Sequence, residues 1–191
     1  PFLSSGIGGI LHIASSYSRR FDEVILQLPK GRALKGINVS ANRGQTSITN
    51  ASLENATLNT NSYILRIKGS RIKNSKLTTP NIVNIFDTYL TDSQLESTEH
   101  HFRAENIKVY GKVELSSKNA LSIMLTQKES QEINLDLSSH HGPIYQLSRD
   151  ESQRHPNELS NPYKTEKTDA KGQLIAKADD YISLETTANR P

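Results

Sequence analysis

The 191-residue sequence predicts an all-β chain folded as a single-stranded β-solenoid. The expected architecture is a β-helix-like stack of coils of about 19 residues, with two short strands in each coil. Three observations predict it: apolar residues return at nearly constant spacing, they alternate with polar residues inside each repeat, and turn residues separate the alternating segments. Alternation with a period of two is typical of strands, and equal spacing between like strands is expected of stacked coils.

The spacing is clearest in two ladders of apolar residues. The first contains Leu34, Leu53, Ile72 and Leu90, which are separated by 19, 19 and 18 residues. Five positions after each of these lies a further apolar residue, and the set is Val39, Leu58, Leu77 and Leu95. The second ladder contains Thr46, Leu65, Val83 and Phe102. Both ladders are expected to point into the interior of the stack.

We divide the chain into two parts. Residues 1–20 are expected to be an irregular N-terminal segment or the remnant of an upstream region. Residues 21–191 are expected to form one solenoid domain whose first strand runs from Phe21 to Leu28. A polar segment near 148–173 lacks periodicity and predicts a protruding loop, so deleting Arg149 to Lys167 should be tolerated.

The last apolar segments are expected to close the stack. Leu174 to Ala176 and Tyr181 to Leu184 return to the strand pattern after the polar segment. A solenoid needs covered ends, and these two segments, with the first strand at the other end, are the candidate caps.

Composition excludes several classes of protein. Without cysteine the chain has neither disulfides nor thiolate zinc sites. No apolar run approaches the roughly 18 residues of a membrane-spanning helix.

The formal net charge of +3 is mild, and the charged residues are mixed along the chain. The densest cationic run is Arg66, Lys68, Arg71, Lys73 and Lys76. No aromatic residues interleave with it, so we interpret it as a solvated strand face and expect no nucleic-acid partner.

The repeated segments resemble a known family. Phe21-Asp-Glu-Val-Ile-Leu-Gln-Leu-Pro29, then Leu34-Lys-Gly-Ile-Asn-Val-Ser40, then repeated Leu-x-x-Ala/Ser-x-Leu units are similar to the DUF4097 family of bacterial proteins, which carries an adhesin label. The resemblance covers Phe21 to Ile144 and, more faintly, Leu174 to Leu184. The usual turn glycine is replaced here, for example by Tyr63 and His100.

The resemblance implies a β-solenoid at the bacterial envelope. Proteins of this family often carry a membrane anchor, and the implied location is extracytoplasmic, at the cell surface or associated with the membrane. Any membrane contact is expected through a segment absent from this chain.

Three sets of polar residues are candidates for chemistry. The histidine pairs His100-His101 and His140-His141 can each offer only one ring to a common metal site, because neighbours in a strand point to opposite faces. Asp87, Asp92 and Glu105 do not supply a matched acid and base for glycoside hydrolysis. We therefore predict no catalytic residue, no cofactor and no metal.

The third set is an outward polar ladder on successive coils. Its members are Asn38, Thr57, Lys76 and Gln94. Such a ladder can bind a ligand with a regular repeat through repeated hydrogen bonds. Asn and Thr ladders can equally form their hydrogen bonds only with the backbone and with water.

The favoured function is a non-enzymatic cell-envelope protein that presents a solenoid surface for binding. The candidate partners are a glycan, the host matrix and an envelope component. One alternative is a structural polymer of the bactofilin kind, in which solenoids stack end to end. The other is a carbohydrate-active β-helix enzyme, which would lose activity on substitution of Asp87 or Glu105.

Overall fold

A computed structural model describes most of the chain. It covers residues 2–5, 11–14, 24–26, 33–34, 37–40, 45–148 and 156–188, with side chains described for 45–147 and 156–188. Both ends of the predicted first strand from Phe21 to Leu28 lie outside these residues, as does part of the polar segment near 148–173.

The described residues form short strands and one short helix. In chain order these are β1 (Phe2–Ser5), β2 (Leu11–Ala14), β3 (Val24–Leu26), β4 (Ala33–Leu34), β5 (Ile37–Ser40), β6 (Gln45–Thr49), β7 (Ser52–Glu54), β8 (Thr57–Asn59), β9 (Ile64–Lys68), β10 (Arg71–Lys73), β11 (Lys76–Thr79), β12 (Ile82–Phe86), β13 (Tyr89–Thr91), β14 (Gln94–Ser97), β15 (Phe102–Glu105), β16 (Lys108–Ser117), β17 (Leu121–Thr126), α1 (Gln127–Glu132), β18 (Ile133–Ser139), β19 (Ile144–Ser148), β20 (Asn157–Leu159), β21 (Tyr163–Lys164), β22 (Gly172–Ala178) and β23 (Ile182–Thr187).

Successive layers place their strands in three parallel faces. The first face contains β3, β6, β9, β12, β15, β17, β23 and β19; the second contains β4, β7, β10, β13 and the start of β16; the third contains β8, β11, β14, the rest of β16, β22 and β18. The prediction of a β-rich, solenoid-like fold is confirmed in outline. Each layer from β6 onward to β14 has three strands, however, and not the two expected. On the second face, β7, β10 and β13 have only three residues and one buried side chain each, which is too short for alternation to be visible in the sequence.

The apolar ladders line the interior. Parallel register places Leu53 beside Ile72 and Ile72 beside Leu90 on the second face, and Leu58 beside Leu77 on the third. These side chains are at most 1% exposed. The alternation decides which residues are buried: in β9, Leu65 and Ile67 point inward, and Arg66 and Lys68 point to solvent.

The C-terminal strands do not cap the stack. β22 lies between β16 and β18, and β23 lies between β17 and β19, all in parallel register. The segments from Leu174 to Ala176 and from Tyr181 to Leu184 therefore form an interior layer, which corrects the sequence-based expectation. The chain first passes through α1 to the terminal layer and then returns to fill the layer that it left open.

The terminal layer is covered by part of the polar segment. β21 pairs antiparallel with β18, and β20 pairs antiparallel with β19. The side-chain amide of Asn161 donates to the carbonyl of Ser139 at 2.7 Å and its oxygen accepts from the Ser139 N–H at 3.1 Å. The region from Arg149 to Lys167 thus holds the covering strands, and the expectation that its deletion would be harmless does not fit this arrangement.

The N-terminal segment also contains strands. β1 and β2, which fall within the segment expected to be irregular, pair antiparallel with each other, and β2 runs parallel to β5. β1 therefore covers the outer edge of β2 as an antiparallel strand, as β20 and β21 do at the other end of the stack.

Candidate functional site

The predicted polar ladder forms a row on the third face. Register places Lys76 beside Thr57 on one side and beside Gln94 on the other, and Gln94 beside Glu114 in the next layer. Thr57 and Lys76 are exposed, while Gln94 and Glu114 are partly exposed. Asn38 occupies β5, which lies beside β8, but its side chain is outside the described residues. The structure therefore aligns three of the four predicted residues and adds Glu114, which the sequence reasoning did not select.

An open groove follows this row along the corner between the second and third faces. Its volume is about 620 Å³. Lys76, Gln94 and Glu114 form one wall, and Asn55, Asn74 and Asp92 lie at the corner. The ammonium of Lys112 lies 2.7 Å from the Glu114 carboxylate, and this hydrogen bond holds the pKa of Glu114 below its ordinary value. The groove thus offers amides, hydroxyls and both signs of charge, a surface suited to hydrogen bonding.

The corner of the groove is built from left-handed residues. Asn55, Asn74 and Asp92 have φ of 52°, 48° and 45°. Asn and Asp adopt this conformation more readily than other residues with a side chain, because their short polar groups bond locally. A parallel set at the corner between the first and second faces consists of Asn50, Gly69, Asp87 and Asn106. The recurrence of Asn, Asp or Gly at the repeat spacing was the available sequence signal, and it was missed.

Buried hydroxyls fix the same corner from inside. Each left-handed residue at the groove is followed by a small buried one, namely Ala56, Ser75 and Ser93. The Ser75 hydroxyl accepts from the Ala56 N–H at 3.1 Å, and the Ser93 hydroxyl accepts from the Ser75 N–H at 3.2 Å. Since each hydroxyl also donates to a carbonyl of its own layer at 2.7 Å, the layers are tied together beneath the groove. The groove is therefore a preformed surface.

Comparison with known families assigns the chain. A family model described as Toastrack DUF4097 matches residues 3–185. The chain belongs to this family. The match confirms the family resemblance and extends it beyond both ends of the segment that carried it in the sequence. Neither the comparison with curated proteins nor that with solved structures finds a match.

Of the three acidic candidates in this Toastrack chain, Asp87 and Asp92 lie at corners between faces, and Glu105 lies at the end of β15 on the first face. Asp87 and Asp92 lie on opposite sides of the three-residue strand β13, at two different corners. Asp87 accepts from the Asn106 side chain at 2.6 Å, and Asp92 accepts from the Lys112 N–H at 3.0 Å. Glu105 pairs with Arg103 on the first face. Asp87 and Glu105 lie in adjacent layers, where the Asp87 N–H donates to the Glu105 carbonyl at 3.1 Å, but Asp92 lies at another corner, so the three carboxylates do not form one cluster.

The two histidine pairs lie at the corner between the third and first faces, in different layers. The rings of His140 and His141 are 4.2 Å apart between centroids, and those of His100 and His101 are 6.5 Å apart. The layers containing Ser117 and Asp179 separate the pairs. Among the described residues, no group of three His, Cys, Asp or Glu side chains could hold a metal ion.

The cationic run of the sequence is divided by the fold. Strands β9, β10 and β11 belong to three different faces, so Arg66 and Lys68 lie on the first, Arg71 and Lys73 on the second and Lys76 on the third. Within the described ranges, no helix is long and apolar enough to cross a membrane.

Proposed function

We propose that this Toastrack chain is a non-enzymatic binding protein of the bacterial cell envelope, exposed outside the cytoplasm at the surface or beside the membrane. Its partner, a glycan, a host-matrix protein or an envelope component, is engaged along the third face. The observation that carries the proposal is the row of Thr57, Lys76, Gln94 and Glu114 beside the corner groove.

The spacing of the row supports recognition of an extended partner. Neighbouring parallel strands repeat at about 4.8 Å, so hydrogen-bonding groups recur along the stack at that interval. Each contact contributes only about 0.5–1.5 kcal/mol, but several on a rigid surface add without a large ordering cost. A polymer with repeating hydroxyl or charged groups meets this requirement better than a small molecule, because the groove is open along its length.

The covered end of the stack favours binding over polymer formation. A structural polymer of the bactofilin kind requires terminal layers with free edges, whereas β20 and β21 occupy the outer edges of β19 and β18. A carbohydrate-active enzyme requires two carboxylates within about 10 Å of each other. Asp87 and Glu105 lie in adjacent layers, but Asp87 accepts a hydrogen bond from Asn106 and Glu105 pairs with Arg103, and these contacts do not favour that alternative.

Binding to isolated envelope material tests the proposal. Wild-type protein is incubated with purified cell-wall sacculi and, separately, with immobilised collagen as a host-matrix probe. We expect retention on one of these probes and its loss in the double variant Lys76→Ala, Gln94→Ala. The matched control is Lys68→Ala, Asn84→Ala, which removes the same kinds of side chain from the first face. Equal retention of both variants, or no retention of the wild type on either probe, would contradict the proposed binding face.

Location is tested separately. Protease is added to intact cells that produce the tagged protein, with lysed cells as the control. Digestion on intact cells is expected for an envelope-exposed protein. Protection on intact cells with digestion after lysis would place the chain inside and overturn the proposed location.

A further inference from the structure

The second face carries a column in which two cations flank an aromatic ring. Arg71, Tyr89 and Lys108 occupy successive layers in register on β10, β13 and β16. The Arg71 guanidinium lies 5.3 Å from the centroid of the Tyr89 ring, and the Lys108 ammonium lies 5.0 Å from it. Lys108 also donates to the Tyr89 hydroxyl at 3.3 Å. The ring therefore holds both charges in place on the surface.

The other charges of this face are already paired. Lys73 lies 3.3 Å from the carboxylate of Glu54, and Lys171 lies 3.0 Å from Glu129 and 2.5 Å from Glu132. In contrast, Arg71 and Lys108 form no ion pair with any described carboxylate, and both are exposed. Glu132 feels the charge of Lys108 only at longer range.

A shallow cavity lies beside the column. Its volume is about 360 Å³, and Arg71, Lys73, Tyr89 and Tyr110 are among its lining residues. Tyr110 lies in the neighbouring column, and although the Lys171 ammonium lies 5.0 Å from its ring centroid, the side chain is still 38% exposed. Cations fixed in position beside an exposed ring combine the two features that a charged sugar needs: a partner for its carboxylate and an apolar surface for its ring.

We propose that the second face recognises an acidic polysaccharide, a polymer of sugars that carry carboxylate groups. Arg71 and Lys108 each bind a carboxylate, and Tyr110 contacts the sugar ring between the column and the cavity. The two cations originate two layers apart, roughly 9.5 Å, which is close to the length of a disaccharide and matches carboxylates on alternate sugars. This inference goes beyond the proposed function, which places its partner on the third face, and assigns a second binding surface to the second face.

Polygalacturonate is the probe, because its fully methyl-esterified form is the same polymer without charge. We expect the full chain to bind polygalacturonate but not the ester, and the affinity to weaken with added salt. The double variant Arg71→Ala, Lys108→Ala should lose at least about tenfold in affinity, since a hydrogen bond to a charged group contributes more than a neutral one. Arg71→Lys should lose part of it, because lysine keeps the charge without the two-pronged geometry.

The first face supplies a matched control. Arg66 lies 5.5 Å from the Phe86 ring, and Lys68 is exposed on the same strand. The variant Arg66→Ala, Lys68→Ala removes the same net charge and should bind within about twofold of the wild type, since only charge at the second face contributes direct contacts. All variants should keep the wild-type thermal melt, as the substituted side chains are exposed.

Four outcomes would overturn the inference. The first is an equal loss of affinity for polygalacturonate in the second-face and first-face double variants, and the second is equal binding of polygalacturonate and its methyl ester. The third is no binding of polygalacturonate by the wild type. The fourth is tighter binding of single-stranded oligothymidine than of polygalacturonate, lost in the Arg71→Ala, Lys108→Ala variant. The last outcome would assign the face to nucleic acid. If the sacculus or collagen experiment succeeds while polygalacturonate fails, the acidic-polysaccharide inference falls and the proposed function stands.

Discussion

The buried carboxylate of Glu129 accepts a hydrogen bond from the backbone N–H of Val109 at 2.9 Å. Val109 lies on β16, where the second face ends, and α1 rather than a further strand contacts it there. A backbone N–H at this position has no neighbouring carbonyl to bind, and the Glu129 side chain takes the place of the missing strand. The second oxygen of Glu129 lies 3.0 Å from the ammonium of Lys171, which balances its charge.

Replacing Glu129 should destabilise the chain. In Glu129→Ala the buried Val109 N–H loses its acceptor, and we expect the free energy of unfolding to fall by about 1–3 kcal/mol. Urea denaturation followed by circular dichroism measures the change. Glu132→Ala is the control, because Glu132 pairs with the same lysine but accepts no buried backbone N–H; its loss should be smaller. An equal loss in both variants would show that the ion pairs, and not the backbone contact, stabilise this end.

The Lys171 interactions predict a dependence on alkaline pH. Burial lowers the pKa of Lys171, but hydrogen bonds to Glu132 and Glu129 outweigh burial and raise the pKa above its ordinary 10.5. A group with a raised folded pKa stabilises the fold fully below 10.5 and loses that contribution as pH rises through the folded value. The difference in unfolding free energy between the wild type and Lys171→Met should therefore be constant near neutral pH and shrink above pH 10.5. A difference that stays constant to high pH would contradict this assignment.

The sequence contains a motif that predicts the start of the helix that positions Glu129. Thr126 and Glu129 are three residues apart, the spacing of an N-terminal capping motif, and the Thr126 hydroxyl accepts from the Glu129 N–H at 3.1 Å. Strand periodicity dominates the surrounding sequence, and a six-residue polar segment has too few residues to show a helical period. The partner of the Glu129 carboxylate was beyond sequence reasoning, because it depends on which layer lacks a strand.

The ladders were predictable, but the order of the layers was not. Alternation fixes which residues point inward, and equal spacing aligns Leu53 with Ile72. Near the C-terminus, however, Leu135 and Leu174 both occupy the ladder that begins at Val113, and the structure places Leu174 between the other two. Both segments alternate in the same way, so the pattern does not say which lies next to β16. The surface row was found for the same reason as the ladders, since its residues alternate with buried ones.

The left-handed corners predict a contrast between two substitutions at Asn74. Its φ of 48° is tolerated by glycine without strain, so Asn74→Gly should leave stability nearly unchanged. Asn74→Ala should cost about 1 kcal/mol, because alanine lacks the polar group that favours this conformation. Asn59→Ala in strand β8 is the matched control and should have little effect. Thermal denaturation distinguishes the variants, and equal stability of the Gly and Ala variants would count against a conformational role.

The interior ladder predicts that the same substitution has very different effects on folding at two neighbouring positions. Leu58 is 1% exposed and packs in the ladder of the third face, whereas Thr57 points to solvent. Leu58→Asp buries a charge without a partner, at a cost comparable to the 5–15 kcal/mol that stabilise an average domain, so it should prevent folding. Thr57→Asp should fold normally. Circular dichroism and soluble yield report the outcome, and a cooperative, wild-type-like melt of Leu58→Asp would show that the inward assignment is wrong.

Removal of the antiparallel strands at the C-terminal end of the stack is expected to make the chain associate with itself. β20 and β21 bond to β19 and β18, and the backbone N–H of Thr165 donates to the Leu135 carbonyl at 2.9 Å. Replacing residues 156–167 with a Gly-Ser linker of equal length frees these edges, which are templates for pairing with another chain. We expect concentration-dependent association in size-exclusion chromatography with light scattering.

Side-chain substitutions supply the control for this replacement. Glu158→Ala and Lys164→Ala leave the backbone pairing of both strands possible, and should not alter the oligomeric state. Lys164 also forms an ion pair with Asp136 at 3.1 Å, but exposed pairs of this kind contribute little to stability. If the linker variant elutes like the wild type at every concentration, the edges of β18 and β19 do not need cover. A structural polymer would then have to assemble through contacts other than these edges.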